Sequence, residues 1–433
     1  MNLKILTIGI ILTMICSTLT ATAKINNNNT VNTEKEHYYS YDEFTDLLGQ
    51  LQLEYSEIFS YSSLGKTWEG RHIWLVKISD NVSIDEDEPK VLYKGGIHGD
   101  EKQGYQAVIY SIKSFLENYT HVNVSDSFTE RVRKVVNNTE LFFMPMVNPD
   151  GCEAYTRENG RPNDCIFGKT LFRGVDLNRN SGYKWELMDK YPFKYRHHFP
   201  YLEKINVKYP FFDTASIRGE GGYRGPYPFS EPESKAIKQV VENHSIIISI
   251  DHHGAVAGGE ILIGWGWTKT PRPDENISYY IAENMSKIAG YKIGRAYGIA
   301  PILGRIGDWE YAEYGIMSFS IELPKVRGDR PFLNILHENG NILPWKNTPL
   351  QQICETQFLV NLYLAERAMT IQQEESTNTD VYTYQNYASP NETTATISKY
   401  NDIPGFEFFL IIFFLIILIV VSIFIWMKKK KDG

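Results

Sequence analysis

Four short stretches of this 433-residue chain carry side chains able to do chemistry. In Gly95-Gly96-Ile97-His98-Gly99-Asp100-Glu101 a glycine-rich turn delivers an imidazole and a carboxylate three residues apart. Those are two of the three protein ligands that a catalytic zinc needs, the remaining position being left to water. In Ile246-Ile247-Ile248-Ser249-Ile250-Asp251-His252-His253-Gly254 an apolar run stops at a histidine pair, either of which supplies a third ligand. Asp251 is placed to orient a ligand imidazole. Glu322 lies inside the β-prone run Ser318-Phe319-Ser320-Ile321-Glu322-Leu323. Burying a lone carboxylate costs several kcal/mol, so such a residue is either ion-paired or a base facing an activated water. The fourth stretch holds Asn148-Pro149-Asp150-Gly151, Arg157 and Gly174-Val175-Asp176-Leu177-Asn178-Arg179-Asn180. Its Asn178-Arg179 pair is a fork that can hold a carboxylate. Singly, each stretch has an ordinary explanation: a polar loop, a capped strand, a salt-bridged glutamate, a turn.

The elements that must position these residues can be read from periodicity. Lys90 to Tyr93, Leu141 to Val147, Ile246 to Ile250 and Ser318 to Leu323 read as strands. Tyr105 to Glu117, Glu231 to Asn243, Ile277 to Ala289 and Leu350 to Met369 read as helices. The alternation predicts an α/β sheet with helices on both faces. Nearly all the chemically able residues fall just after a strand, where open α/β sheets bind ligands.

The ends of the chain differ in kind from its middle. Lys4, the apolar stretch from Ile5 to Ile15 and Ala21-Thr22-Ala23 read as a signal peptide over residues 1–23. Residues 24–36 are Asn/Thr-rich and expected to be disordered. Residues 37–370 form one folded unit, and 371–405 a Ser/Thr/Asn-rich stalk. Phe408 to Met427 is apolar save Ser422, long enough to span a bilayer, so residues 406–427 are expected to be a transmembrane helix and 428–433 a basic cytoplasmic tail. The folded unit then lies outside the cell. The net charge of −8 argues against nucleic acid as a partner. Four cysteines are too few for a disulfide scaffold; Cys152 and Cys165 are close enough in sequence to pair.

The order and spacing of these blocks, with Tyr61-Ser62-Ser63-Leu64-Gly65-Lys66-Thr67-Trp68-Glu69-Gly70-Arg71 ahead of them, resemble the zinc carboxypeptidases of the carboxypeptidase A and carboxypeptidase T type from about His37 to Met369. The resemblance implies a mixed, mostly parallel sheet, one zinc per chain and hydrolysis of C-terminal residues from peptides by a monomeric metallocarboxypeptidase. It implies His98, Glu101 and His253 as metal ligands, with His252 the alternative to His253. Glu322 becomes the general base and Arg157 the oxyanion stabiliser. Asn178 and Arg179 become the grip on the substrate's terminal carboxylate, and Tyr297 a mobile tyrosine closing over substrate. The residues before Asp308-Trp309 line the pocket for the terminal side chain in this family. Here they include Arg305, which implies a preference for Glu or Asp.

Two departures stand out. Gly99 and Asp100 replace the arginine usual between the ligating His and Glu, and Lys184 to Gly222 holds an insertion with Tyr195-Arg196-His197-His198. Pro404-Gly405-Phe406 before the apolar run resembles an archaeal surface-protein sorting signal, which would replace the span with a lipid. The rival readings are a metalloamidase acting on cell-wall-like peptides and an inactive surface binding module.

Overall fold

The structure is a computed structural model that describes residues 37–121, 127–162, 174–190, 214–216, 221–254, 259–298, 301–324, 326 and 349–377. The leader, the span at 408–427, Cys165 and the His197-His198 pair lie outside those residues. Among the described residues no helix is long and apolar enough to cross a membrane.

Among the described residues eight strands form one mixed sheet: β1 (Phe59–Lys66), β2 (His72–Ile78), β3 (Lys90–Gly95), β4 (Glu140–Met144), β5 (Ile246–Gly254), β6 (Glu260–Ile263), β7 (Lys292–Arg295) and β8 (Met317–Leu323). Their order is β1-β2-β4-β3-β5-β8-β6-β7. The four central strands β4, β3, β5 and β8 run parallel. The β1-β2 hairpin joins antiparallel on one side, and β6 pairs antiparallel with β8 on the other. The central strands read as near-continuous apolar runs because both their faces are covered.

Eight α-helices lie among the described residues: α1 (Tyr41–Glu54), α2 (Lys102–Thr120), α3 (Ser127–Val136), α4 (Pro149–Ala154), α5 (Pro232–Asn243), α6 (Glu275–Ala289), α7 (Ile306–Tyr314) and α8 (Leu350–Thr377). Ser40 and Glu43 form a capping box that fixes the start of α1, whose Phe44, Leu48 and Leu51 share its buried stripe. One face of the sheet packs on α1, α2, α3, α6 and α8 through Phe115, Phe143, Ile250, Phe319, Met285 and Leu362. The other face packs on α5 and α7 through Leu92, Phe142, Ile237, Val240, Ile306 and Trp309. The α/β sheet with helices on both faces is thus present.

One boundary differs from expectation. Helix α8 runs on to Thr377, with Ile371 buried. Composition changes at residue 371, but Gln and Glu propagate a helix almost as well as apolar residues do.

Candidate metal centre

The site is built where β3, β5 and β8 end side by side. After Gly95 the chain turns through Gly96 at φ +65° and presents His98 and Glu101 ahead of α2. Gly99 has no freedom to be larger: a Cβ there would lie 2.0 Å from the Gly151 carbonyl carbon. The turn packs directly on the Asn148–Gly151 turn, which accounts for glycine at position 99. The Asn148 side chain accepts from the Gly151 N–H and begins α4. Asp150 is buried and takes bonds from Thr67 Oγ1 (2.8 Å), Glu69 N (3.1 Å) and Arg71 Nη1 (2.7 Å). The Tyr61–Arg71 stretch therefore braces the turn beneath the site.

His253 comes from β5 and stands in register with Glu322 of β8. His98 Nδ1 lies 2.9 Å from Glu101 Oε1 and 3.1 Å from His253 Nδ1, and His253 Nδ1 lies 2.9 Å from Glu101 Oε2. His98, Glu101 and His253 each offer one donor atom within 4.8 Å of the others. Two imidazole nitrogens and a carboxylate oxygen are a zinc donor set, and bonds of about 2.0–2.1 Å in a tetrahedron separate ligands by about 3.3 Å. The observed spacings are slightly shorter than that, so the three residues fit the ion with a small outward adjustment.

His252 takes another part. Its Nδ1 lies 3.0 Å from Lys94 O and its Nε2 3.1 Å from Asn361 Oδ1, so it ties β3 and β5 to α8. Alternation along β5 sends the two neighbours to opposite faces. Asp251 does not orient a ligand imidazole. It sits two residues deeper in the strand, 3.5 Å from the buried Lys94 Nζ, which Glu310 also pairs. The orienting carboxylate is Asp176. Its Oδ1 lies 3.2 Å from His98 Nε2 and accepts from Asn178 N (3.0 Å), and its Oδ2 accepts from Arg157 Nε (2.9 Å). No spacing rule singled it out, although it stands two residues before Asn178 in the same block.

Arg157 reaches the trio directly, its Nη1 3.2 Å from Glu101 Oε1. Its loop is held by Asn159, whose Nδ2 donates to Glu231 and Glu233 and whose Oδ1 accepts from Val175 N. Asn178 is buried with Nδ2 3.4 Å from His253 Nε2 and Oδ1 accepting from Ile306 N. Arg179 is buried beside it, with Nη1 donating to Asn178 O. The Glu322 carboxylate makes no hydrogen bond or ion pair with the described residues, although β8 brings it opposite His253. Tyr297 lies beyond β7 with Lys269 Nζ 5.2 Å from its ring centroid. Arg305 is buried, its Nη1 3.1 Å from Asp308 Oδ1 and its Nη2 2.7 Å from Ser320 Oγ. Cys152 is a free, buried thiol packed on Gly96, so it makes no disulfide here.

The electrostatics suit a cation. Burial alone would depress the pKa of His98, and Arg157 adds to that, but Glu101 and Asp176 outweigh both and carry it to about 9. Burial pushes Glu101 up, yet His98 and His253 hold it well below the usual carboxylate range. Burial is also the main force on Glu322, and with Glu101 it raises that carboxyl despite His253. One carboxylate is thus committed to its charge while the neighbouring one is inclined to take up a proton.

A sequence model of the family described as zinc carboxypeptidase matches residues 44–351. A zinc carboxypeptidase from Saccharothrix mutabilis subsp. capreolus is 31% identical over 156 residues, 34% of this chain and 33% of that protein. The human carboxypeptidase N catalytic chain is 24% identical over 277 residues, 59% of this chain and 52% of its own length. The chain thus spans a third to about half of these relatives. Among solved structures, carboxypeptidase A from Helicoverpa armigera superposes with a TM-score of 0.58 at 21% identity, over 82% of this chain and 79% of that one. Thrombin-activatable fibrinolysis inhibitor gives 0.58 at 18% identity, over 77% and 75%. These likenesses are to the fold.

Proposed function

Since the chain belongs to the zinc carboxypeptidase family, we propose that it is a metallocarboxypeptidase that removes C-terminal amino acids from peptides or proteins at the cell surface. The observation that carries this reading is the convergence of His98, Glu101 and His253 opposite a Glu322 that has no ion-pair partner among the described residues. Zinc held by the three residues would supply Lewis-acid polarisation of the scissile carbonyl and acidify the attacking water. Glu322 takes the proton from that water and passes it to the leaving amine. The Arg157 guanidinium, held at Nε by Asp176, faces the developing oxyanion. Asn178 and Arg179 grip the substrate's terminal carboxylate, which sets the scissile bond one residue from the chain end. Asp176 holds His98, Arg157 and the backbone of Asn178 in one arrangement, so it couples metal binding, oxyanion binding and carboxylate binding.

The apolar runs at both ends support export and tethering with the catalytic unit outside. Shaving intact cells with protease should release a soluble, active fragment; activity that stays in the cytosol and resists shaving would refute the location. The reaction is tested on one peptide in free-acid and C-terminally amidated forms, before and after chelation and zinc replacement. Free-acid cleavage that disappears with chelator and returns with zinc supports the reading. Equal cleavage of the amide would move it to the metalloamidase class.

A further inference from the structure

Arg157 is anchored at its tip but carried on a loop that has to aim it. Its Nε reaches Asp176 Oδ2 at 2.9 Å and its Nη1 reaches Glu101 Oε1 at 3.2 Å, while 34% of its side chain is open to solvent. The loop leaves α4 through Tyr155, a non-glycine residue at φ +55°. Thr156 N donates to Gly151 O, and Asn148 Nδ2 lies 3.4 Å from Arg157 O. Those bonds fix where the loop starts. They leave open how far Arg157 stands from Asp176, which belongs to a later stretch of the chain.

That separation is set two residues on. Asn159 is fully buried and pairs with Val175 twice: its N–H donates to Val175 O at 3.2 Å, and its Oδ1 accepts from Val175 N at 2.9 Å. Val175 immediately precedes Asp176, so the double contact brings arginine and carboxylate side by side. The approach is close, since a Cβ on Gly174, at φ +72°, would lie 2.0 Å from Asn159 O. The other end of the amide is fixed as well. Its Nδ2 donates to Glu231 Oε2 and Glu233 Oε2, both at 2.9 Å. Two acceptors on one side and an N–H on the other leave the amide a single orientation. Both glutamates are buried at the start of α5, and Glu231 is itself held by Arg161 Nη1 (2.6 Å) and Trp68 Nε1 (2.9 Å). One side chain thus joins the Arg157 loop, the Asp176 segment and α5. Among the described residues it makes no hydrogen bond with His98, Glu101, His253, Glu322, Asn178 or Arg179, so it reaches the reaction only through what it positions.

Resting on the carboxypeptidase reading, we propose that Asn159 is a positioning residue for the reaction: it holds the Arg157 guanidinium where the oxyanion forms, and Glu231 and Glu233 hold Asn159. The charge that Arg157 meets develops only in the transition state, so the contribution of Asn159 falls on kcat. Ground-state binding of the terminal carboxylate belongs to Asn178 and Arg179 and is left alone.

The test is a double-mutant cycle on folded, zinc-loaded protein. Release of the last residue from one free-acid peptide is measured for wild type, Asn159→Ala, Arg157→Gln and the double variant. Arg157→Gln should lose about 10²–10³-fold in kcat, as when one oxyanion donor is removed. Asn159→Ala should lose about tenfold to a hundredfold in kcat, the scale of a ~1 Å misplacement, with KM little changed. Once Arg157 is gone, the Asn159 change should cost less than about twofold, because nothing is left for it to position. A purely structural role would lower the yield of folded protein and leave kcat per zinc unchanged. That result, effects that multiply across the cycle, or a loss confined to KM would overturn the proposal. A crystal structure of zinc-loaded Asn159→Ala reads the same point without turnover: the 2.9 Å contact between Arg157 and Asp176 should be lost, and its retention overturns the assignment. If the contact is lost but the wild type releases no residue from any peptide, the peptidase reading fails and the positioning of Arg157 by Asn159 stands. If the wild type cleaves and the contact is retained, the inference falls and the peptidase reading stands. Should Asn159→Ala not fold, Asn159→Ser, which keeps a polar group in the buried site, is carried through the same cycle with the same deciding outcomes.

Discussion

Replacing Asp176 by Asn is the most informative perturbation of the site, because it keeps shape and removes one acceptor. Three donors face the two carboxylate oxygens: Asn178 N at 3.0 Å and His98 Nε2 at 3.2 Å from Oδ1, and Arg157 Nε at 2.9 Å from Oδ2. An amide offers one oxygen. Whichever way it turns, its NH2 group faces an N–H at hydrogen-bond distance, and either His98 or Arg157 loses its anchor. Loss of such an outer partner of a ligating histidine weakens metal binding by about 10–100-fold, or roughly 1.4–2.8 kcal/mol at 1.4 kcal/mol per decade. The assay is a competition titration of zinc between metal-free protein and a chromophoric chelator at fixed pH, which needs no catalysis. With the amide NH2 turned toward Arg157 the variant should also remain slow at saturating zinc, since that guanidinium has then lost its 2.9 Å anchor at Nε. A zinc Kd within twofold of wild type, together with wild-type kcat at saturating zinc, would refute the coupling assigned to Asp176.

Three further outcomes follow from the same geometry. His253→Ala should lose its zinc, whereas His252→Ala should keep it and instead lose about 1–3 kcal/mol of stability, as Asn361 and Lys94 O lose a buried partner; metal content and denaturant unfolding separate the two. Lys94→Met leaves Glu310 and Asp251 without their buried cation and should cost about 3–5 kcal/mol, part of it recovered when Glu310→Leu is added; a single variant as stable as wild type would contradict this. Burial raises Glu233 from 4.5 to about 8, so the native state holds its proton longer than the unfolded chain does. The stability it contributes is complete below the unfolded value and is lost as pH rises through the folded one. Unfolding by urea at pH 5 and pH 8.5 should show a larger drop for wild type than for Glu233→Gln.

Much of this was legible in the sequence because its signals are local. The strands at Lys90, Ile246 and Ser318 are apolar runs covered on both faces, and each ends where a ligand or base must sit. His98 and Glu101 are three apart on one turn, so their meeting follows from the chain itself. Choosing between His252 and His253 required knowing which face of β5 looks at Glu101, and that depends on pairing with β3 and β8. Adjacency to the histidines in sequence makes Asp251 the expected orienting acid, yet Lys94 from the next strand takes it. Asp176 does that work from a stretch distant in sequence from His98. The meeting of Arg272 with Arg305 at Asp308 was likewise hidden, since Arg272 precedes α6 and carries no recognisable pattern.

The central claim is that Glu322 moves the proton while His98, Glu101 and His253 hold the metal. It is tested most directly by kcat for single-residue release from a free-acid peptide, measured on wild type and Glu322→Gln loaded with equal zinc. The account predicts about one zinc per chain in both proteins and a loss of turnover of about 10²–10⁴-fold or more in the variant. Turnover by Glu322→Gln within a few-fold of wild type, at matched zinc content, would contradict it.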